Sequence, residues 1–306
     1  IKYAAFSIKL VRGKNYDLVF ATTSRLMTGS LGAWISKRQS APFFLDLRDL
    51  LTINLRELLP GYQSLILVPM LEIIERLTLS QARKINIVSD GFREHVQARA
   101  KTDQLTTLTT LTNGIDAMFL EQDFQKQHQS QRKKVVYAGN IGQGQGLEKI
   151  LPALAQLLPE FDFLIVGDGS TRKLLKQESE SLSNIELKSP VKRQELMRIY
   201  QQADILFLHL NDIEAFRKVL PSKLFEYAAT GKPVVAGVAG YAADFIKEHL
   251  PDIKVIAPCD EHRHALAFHA INTEHNPRTK FVEKFNRVTI SKQLKESVLQ
   301  LLDYSR

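Results

Sequence analysis

The sequence predicts an α/β protein made of two doubly wound domains in series. Short β-rich apolar runs alternate with helical patterns along the whole chain. The alternation breaks at Glu121–Lys134 (EQDFQKQHQSQRKK), a polar, glutamine-rich stretch with a single Phe, and then restarts. A chain of 306 residues is also long enough for two domains with separate cores.

In the first half, Asp17–Ala21 (DLVFA), Pro42–Leu47 (PFFLDL) and Ile85–Ser89 (INIVS) read as buried strands. Arg25–Gln39 and Ser64–Ala82 lie between them with helical apolar spacing, which implies right-handed βαβ units and a parallel sheet. In the second half, strands are expected at Val135–Ala138, Phe163–Val166, Ile185–Lys188, Ile205–Leu208, Pro233–Ala236 and Lys254–Ile256. Helices fill the gaps at Leu147–Leu158, Thr171–Glu180, Gln194–Gln202, Ser222–Ala229 and Tyr241–His249, and Ser291–Tyr304 reads as a closing amphipathic helix. The expected division is 1–125 for a first domain, 126–134 for a linker, 135–275 for a second domain and 276–306 for helices crossing back to the first. Ligands of such sheets bind at the carboxyl ends of the strands, and two such domains create a cleft. Ile1–Leu10 carries two lysines and reads as a helix, not a signal peptide. The first domain therefore opens without a glycine-rich turn, and the expectation is that native residues precede Ile1.

Apolar and charged fractions of 44% and 24% are those of a soluble globular protein. No apolar run approaches 18 residues, because Glu72, Glu75 and Arg76 directly follow the apolar segment Leu65–Leu71, so no spanning helix is expected. Lone Cys259 rules out an internal disulfide framework, fits a reducing compartment and reads by default as a structural thiol. The formal charge is +8, and Lys2, Lys9, Arg12, Lys14, Arg25, Lys37 and Arg38 face only Asp17 across the early residues. Such a region suits nucleic acid, anionic lipid or a phosphorylated acceptor, or is simply a solvated face. No nucleic-acid module accompanies it: paired cysteines and histidines and ribonucleoprotein aromatics are all missing.

Three motifs bear on chemistry. The first, Tyr137–Leu147 (YAGNIGQGQGL), joins a strand to a helix, with glycines at 139, 142, 144 and 146 that permit close backbone approach. The helix behind it offers N–H groups and a positive dipole end to an anion; the other reading is an ordinary β-to-α turn. GxGxxG spacing fails, which disfavours a dinucleotide oxidoreductase. In the second motif, Leu164–Ser170 (LIVGDGS), Gly167 would leave room for a flat base or sugar, while Asp168 or Ser170 could simply cap the next helix. The third is Lys218–Gly237 (KVLPSKLFEYAATGKPVVAG). Pro221-Ser222 starts a helix whose free N–H groups at Ser222 and Lys223 suit a diphosphate. Lys223 adds a positive charge, and Glu226 one turn on can accept from vicinal ribose hydroxyls. The alternatives are a solvated face for Glu226 and an i,i+3 partner of Glu226 for Lys223.

The block PSKLFEYAATGKPVVAG resembles the donor-site signature of retaining family 4 glycosyltransferases, in the branch that builds bacterial O-antigen, capsule and other surface polysaccharides. YDLVFATTSRLMTGSLGAWISKRQSAPFFLDLRDL, NIVSDGFREHV and LTNGID resemble that branch's acceptor domain, and YAGNIGQGQGLEKIL, IVGDGS and ADILFLHL complete the donor domain. The likeness covers nearly the whole chain. It implies the GT-B fold, two Rossmann-like doubly wound domains facing each other across a cleft, with the donor nucleotide in the second. By resemblance, Glu226 binds the donor ribose as the second glutamate of the E-x7-E motif, and Ser222 and Lys223 hold the diphosphate. Gly139, Asn140 and Gly142 lie in the loop that approaches the phosphates and sugar. Gly167, with Ser189-Pro190-Val191, matches the nucleobase pocket. Arg48-Asp49 stands where relatives carry His-Asp near the reacting sugar, which makes Asp49 a catalytic candidate.

The chain departs from the pattern where Lys218 replaces the first glutamate, and where Asn140 and Gln145 replace the usual Arg and Lys of the glycine loop. Lys218 and Lys223 are therefore the expected counter-charges for a leaving diphosphate. The resemblance implies transfer from a UDP-sugar, of N-acetylhexosamine type, to a glycan or polyprenyl-diphosphate-linked acceptor with retention of configuration. It implies no cofactor and no metal, and a cytoplasmic enzyme with a peripheral seat on the inner face of the cytoplasmic membrane. Two other classes stay open: a UDP-N-acetylglucosamine 2-epimerase, which would recruit His95, His209 and Asp49, and an inactive UDP-binding fragment.

Overall fold

The computed structural model describes residues 2–58, 61–100, 107–125 and 131–303. The chain divides into two compact units, Ile1–Asn113 with Val288–Arg306, and Gly114–Arg287. Each is an α/β structure on one parallel sheet.

The first unit's strands, β1 (Val19–Thr23), β2 (Phe43–Leu47), β3 (Lys84–Ile87) and β4 (Thr107–Thr110), lie side by side in chain order. All three pairings are parallel. Phe43, Phe44, Leu45, Ile85 and Ile87 are fully buried, as strands covered on both faces require. Helices Leu26–Gln39 and Gly61–Gln81 pack against one another, tied by Ser30 Oγ to Thr78 Oγ1 at 2.8 Å. Buried Lys84 donates to Ser297 O at 3.2 Å and Gln300 Oε1 at 3.1 Å, which fixes the closing helix Arg287–Asp303 to this unit. Burial also lowers the Lys84 pKa.

The second unit contains β5 (Lys133–Asn140), β6 (Phe161–Asp168), β7 (Ile185–Lys188), β8 (Ile205–His209), β9 (Val234–Gly237) and β10 (Lys254–Ile256). Their spatial order is β10-β9-β8-β5-β6-β7, again all parallel. Alternation along each strand divides the core between the two faces. Val136, Ala138, Leu164, Leu206 and Val234 enter one apolar cluster, and Val135, Tyr137, Phe163, Ile205 and Val235 enter the other. The chain winds outward from β5 to β7, returns to β8 beside β5, and winds the other way to β10.

The expected strands all form: β7 and β10 on the expected residues, β5 and β6 two residues longer at each end, β8 one residue longer, and β1, β2, β3 and β9 with ends displaced by one or two residues. Reasoning from pattern missed β4, whose TLTT is half-exposed and lacks an apolar run, and several short helices, including Leu51–Leu58, Arg93–Arg99 and Glu214–Arg217. It also missed Glu261–Ala270, although Asp260 caps that helix by accepting from Arg263 N at 3.0 Å. The expected first domain runs to 125, yet Ile115, Phe119 and Phe124 are buried in the second unit's core. Of the expected linker, residues 126–130 lie outside the described residues, and Lys133-Lys134 already belong to β5. The segments entering and leaving the second unit run side by side. Ile115 N donates to Phe285 O at 2.8 Å, Arg287 N donates to Ile115 O at 3.0 Å, and the Arg287 guanidinium reaches Gly114 O at 3.1 Å.

Candidate active site

The reversal of strand order between β5 and β8 opens the crevice in which doubly wound sheets bind ligands, at the carboxyl ends of the strands. Two loops meet there. The glycine loop 141–146 joins β5 to helix Leu147–Leu157, and residues 210–221 join β8 to helix Ser222–Ala229. Asn211 ties them together: its N–H donates to Gly144 O at 2.9 Å and its Nδ2 to Gln143 O at 2.9 Å. Its Oδ1 accepts from Lys149 Nζ at 3.1 Å, which holds a cation in the first turn of the loop's helix.

Asn140 and Gln145 are bonded to each other, Asn140 Nδ2 donating to Gln145 Oε1 at 2.7 Å. The two positions where the resemblance leads one to expect Arg and Lys are thus joined here by a neutral amide bridge. Gly146 caps the following helix at φ 60°, ψ 29°. This left-handed conformation favours glycine. Asn140 Nδ2 lies against Gly142, and the Tyr137 hydroxyl lies against Gly139 while donating to Asn140 O at 2.6 Å.

Below the loop, His209 at the end of β8 is fully buried. Its Nε2 accepts from Cys259 N–H at 3.0 Å, so its Nδ1 carries the proton and donates to Gln145 O at 2.6 Å. Burial lowers its pKa to about 4, so the ring is neutral. This histidine joins the glycine loop, β8 and the turn after β10. Burial raises the Cys259 pKa, which keeps it a thiol.

At the end of β6, Gly167 has φ 159°, and an added Cβ would run into the Gly139 carbonyl oxygen of neighbouring β5. Strand packing by itself therefore requires the missing side chain. Neither capping expectation holds: Asp168 Oδ1 accepts from Gly169 N–H at 2.8 Å, and Thr171, with no side-chain cap bond, precedes helix Arg172–Glu178. Pro190 is exposed and Val191 half-buried, both just beyond β7, beside the end of β6.

Helix Ser222–Ala229 starts at the carboxyl edge of the sheet, because it carries the chain from β8 to β9. Pro221 is its N-cap, at φ −70°, ψ 131°, with no side-chain cap bond. The first N–H groups of a helix have no intrahelical acceptor. Tyr227 OH accepts from Ala138 N–H at 2.9 Å and locks this helix onto β5. Lys223 Nζ and Glu226 Oε2 form an ion pair at 2.6 Å, their side chains 26% and 17% exposed, and Lys223 Nζ also donates to Tyr200 OH at 3.4 Å. The i,i+3 pairing expected from spacing is thus present, largely buried and not on a solvated face. Half-buried Lys218 closes the short helix Glu214–Arg217 in the same loop.

The family profile described as Glycosyl transferases group 1 matches residues 118–287. The chain belongs to this family. It is a glycosyltransferase, and the matched span covers all of these elements of the second unit. No curated protein matches the chain in sequence. Among solved structures, sucrose-phosphate synthase from Thermosynechococcus elongatus superposes with a TM-score of 0.75 at 16% identity, over 99% of this chain and 78% of that one. Anabaena HepE, in complex with UDP and glucose, gives 0.71 at 18%, over 97% and 81%. The lipopolysaccharide outer core galactosyltransferase WaaB, in its apo form, gives 0.66 at 16%, over 98% and 79%. At these identities the likeness establishes the fold that this group 1 glycosyltransferase shares with them.

In the first unit, Asp49 follows β2 and accepts from Leu50 N–H at 2.8 Å. It lines a pocket at the ends of β1 and β2 with Thr23, Ser24, Arg25, Glu75 and Thr78. Arg48 turns to buried Asp46 at 3.1 Å, which also binds Thr22 Oγ1 and Asn86 Nδ2, each at 2.7 Å. His95 is buried against Glu75 at 3.1 Å. Asp49 and His95 thus belong to the first unit, and His209, with both ring nitrogens bonded, to the second. Sequence reasoning missed Lys149, Asn211 and Asp46; an Asn-Asp pair just after a buried strand was the one available signal for Asn211.

Proposed function

We propose that the switch-point loops bind a UDP-sugar of N-acetylhexosamine type, and that the enzyme transfers its sugar with retention of configuration to a hydroxyl of a glycan or polyprenyl-diphosphate-linked acceptor in surface polysaccharide assembly. One observation carries this reading. A cation and a carboxylate, Lys223 and Glu226, lie one turn apart at a helix start that lacks a side-chain cap, at the carboxyl edge of the sheet. HepE, crystallised with UDP and glucose, supports the nucleotide. WaaB, a lipopolysaccharide galactosyltransferase, supports the polysaccharide context.

In this reading the donor parts the ion pair. Glu226 turns to the ribose hydroxyls, and Lys223 joins the amides of Ser222 and Lys223 on the diphosphate. Gly139, Asn140 and Gly142 line the phosphates and sugar, and Gly167, Pro190 and Val191 frame the base. The bond from the anomeric carbon to the β-phosphate oxygen breaks. The acceptor oxygen bonds to the same face of that carbon, and its proton passes to the departing phosphate oxygen. Lys218, Lys223 and Lys149 stabilise the charge that develops on UDP. No divalent cation is needed for this step. Asp49, in its pocket, orients the acceptor.

Replacing Glu226 with Ala should weaken UDP binding by on the order of 2 kcal/mol, the loss of a charge-assisted hydrogen bond; unchanged affinity by calorimetry would contradict the ribose assignment. Lys223→Ala should lower turnover more than it lowers UMP binding, and equal small losses in both would remove Lys223 from the mechanism.

A further inference from the structure

The helix Gly61–Gln81 is apolar on both sides. Val68, Leu71 and Leu79 face the core, together with Thr78 and ion-paired Glu75. On the opposite side Ile66, Met70, Ile73 and Leu77 recur at i, i+4, i+7 and i+11, one stripe of a 3.6-residue helix about 17 Å long. Ile66 is 79% exposed, Ile73 60% and Leu77 65%, and Leu65 beside them 78%. A helix on a water-facing surface ordinarily carries polar residues there. A contiguous apolar stripe marks an interaction face.

The charge around the stripe selects the partner. Helix Lys2–Val11 packs on helix Leu26–Gln39, which packs on helix Gly61–Gln81. The first two contain no Asp or Glu, but hold exposed Lys9, Lys37 and Arg38, and the third adds exposed Arg76. The third helix's two acids are paired with arginines: Glu72 with Arg56 at 2.7 Å and Arg99 at 3.2 Å, Glu75 with Arg99 at 3.1 Å. Across the chain, 18 Lys and Arg oppose 11 Asp and Glu in Ile1–Asn113 with Val288–Arg306, against 23 and 22 in Gly114–Arg287. Nearly all of the net charge of +8 therefore sits in the unit that bears the stripe. A second copy meeting the stripe across a two-fold axis would bring the same cations together. An anionic bilayer attracts those cations and buries the stripe. No helix among the described residues is long and apolar enough to cross a membrane, so the helix would lie along the surface.

We infer that the outward stripe of helix Gly61–Gln81 seats the enzyme on an anionic lipid surface, with the cations of the two neighbouring helices over the headgroups. The inference rests on the membrane-linked acceptor of the proposed function and names the surface that reaches it.

The test measures cosedimentation of the full chain with vesicles of equal parts phosphatidylglycerol and phosphatidylcholine, and with phosphatidylcholine alone. The wild type should prefer the anionic vesicles. Ile66→Ser, Ile73→Ser and Leu77→Ser together should raise the vesicle Kd by about tenfold or more, with melting temperature and UDP affinity unchanged. Lys37→Glu with Arg38→Glu should weaken binding to the anionic vesicles alone, in a manner that added salt mimics. A triple variant that binds as the wild type does would overturn the assignment of the stripe while leaving membrane recruitment intact. Wild-type protein that ignores both vesicles would overturn the inference and the membrane-linked acceptor together, and the UDP titration would still report separately on the donor. Self-association that the triple variant abolishes, without vesicle binding, would give the face to a second copy and overturn the inference.

Discussion

The two sheets use the same βαβ unit, but the four strands of the first and the six of the second are laid out in different order. In the first unit β1 to β4 follow chain order, so among the described residues each crossover moves the same way across the sheet. In the second, the jump from β7 back to β8 beside β5 reverses the direction of winding, and the two loops flanking that reversal, tied by Asn211, meet at the carboxyl ends of the strands. The glycine loop, Asn211, Lys149 and the start of helix Ser222–Ala229 all gather there. The first unit has its own use for buried charge: Glu75, bonded to Thr52, His95 and Arg99, holds helix Gly61–Gln81 to its neighbours. The proposed donor site lies at the reversal in winding, while the ion pairs of Glu75 tie elements of the first unit together.

The largest effect that would test this contrast is expected at Glu75. Glu75→Ala leaves His95 and Arg99 buried around a missing anion and should cost about 4 kcal/mol of stability, seen in urea unfolding. UDP affinity of the folded protein should not change; a parallel loss of affinity would break the contrast. Next is Gly167→Ala, which sets a methyl against the Gly139 carbonyl and should cost about 3 kcal/mol. Here UDP affinity should fall as well, because the collision displaces the glycine loop.

The pH response has its own sign. Folded His209 titrates at about 4, against about 6.5 when unfolded. The unfolded chain thus binds the proton first: stability is complete above pH 6.5, falls as pH drops, and levels off below pH 4 after a loss on the order of 3 kcal/mol. His264, whose pKa burial also lowers, adds to the same trend. His209→Gln should flatten this slope in urea unfolding, and an unaltered slope would assign it elsewhere. The smallest effect belongs to Asn140→Ala. It removes one exposed amide bridge and should cost under about 1 kcal/mol, with a change in UDP affinity of less than tenfold.

Much of the fold is legible in the sequence. Helix Ser222–Ala229 and strands Ile185–Lys188 and Lys254–Ile256 fall on the expected residues, because proline, glycine and apolar runs mark their limits locally. β4 escaped because four half-exposed residues at a sheet edge carry no apolar run. The site divides in the same way. The glycine loop and the Pro221-Ser222 start are local signals. The neutral His209 junction, the Asn140–Gln145 bridge and the grip of Asn211 on Lys149 depend on which loops meet, and strand order is not written in any single segment. Gly167 shows the limit from the other side: its motif is visible in the sequence, but the carbonyl that demands a glycine belongs to another strand.

The pairing of Ile115 with Asn286 and of Gly114 with Arg287 has a topological consequence. The second unit begins and ends at one spot, so it is an insertion within the first, whose own chain is interrupted at 113 and resumes at 288. Two cuts in the gene would release a continuous second unit with adjacent ends. No single cut releases the other half intact, because its closing helix, anchored by Lys84, is encoded on the far side of its neighbour.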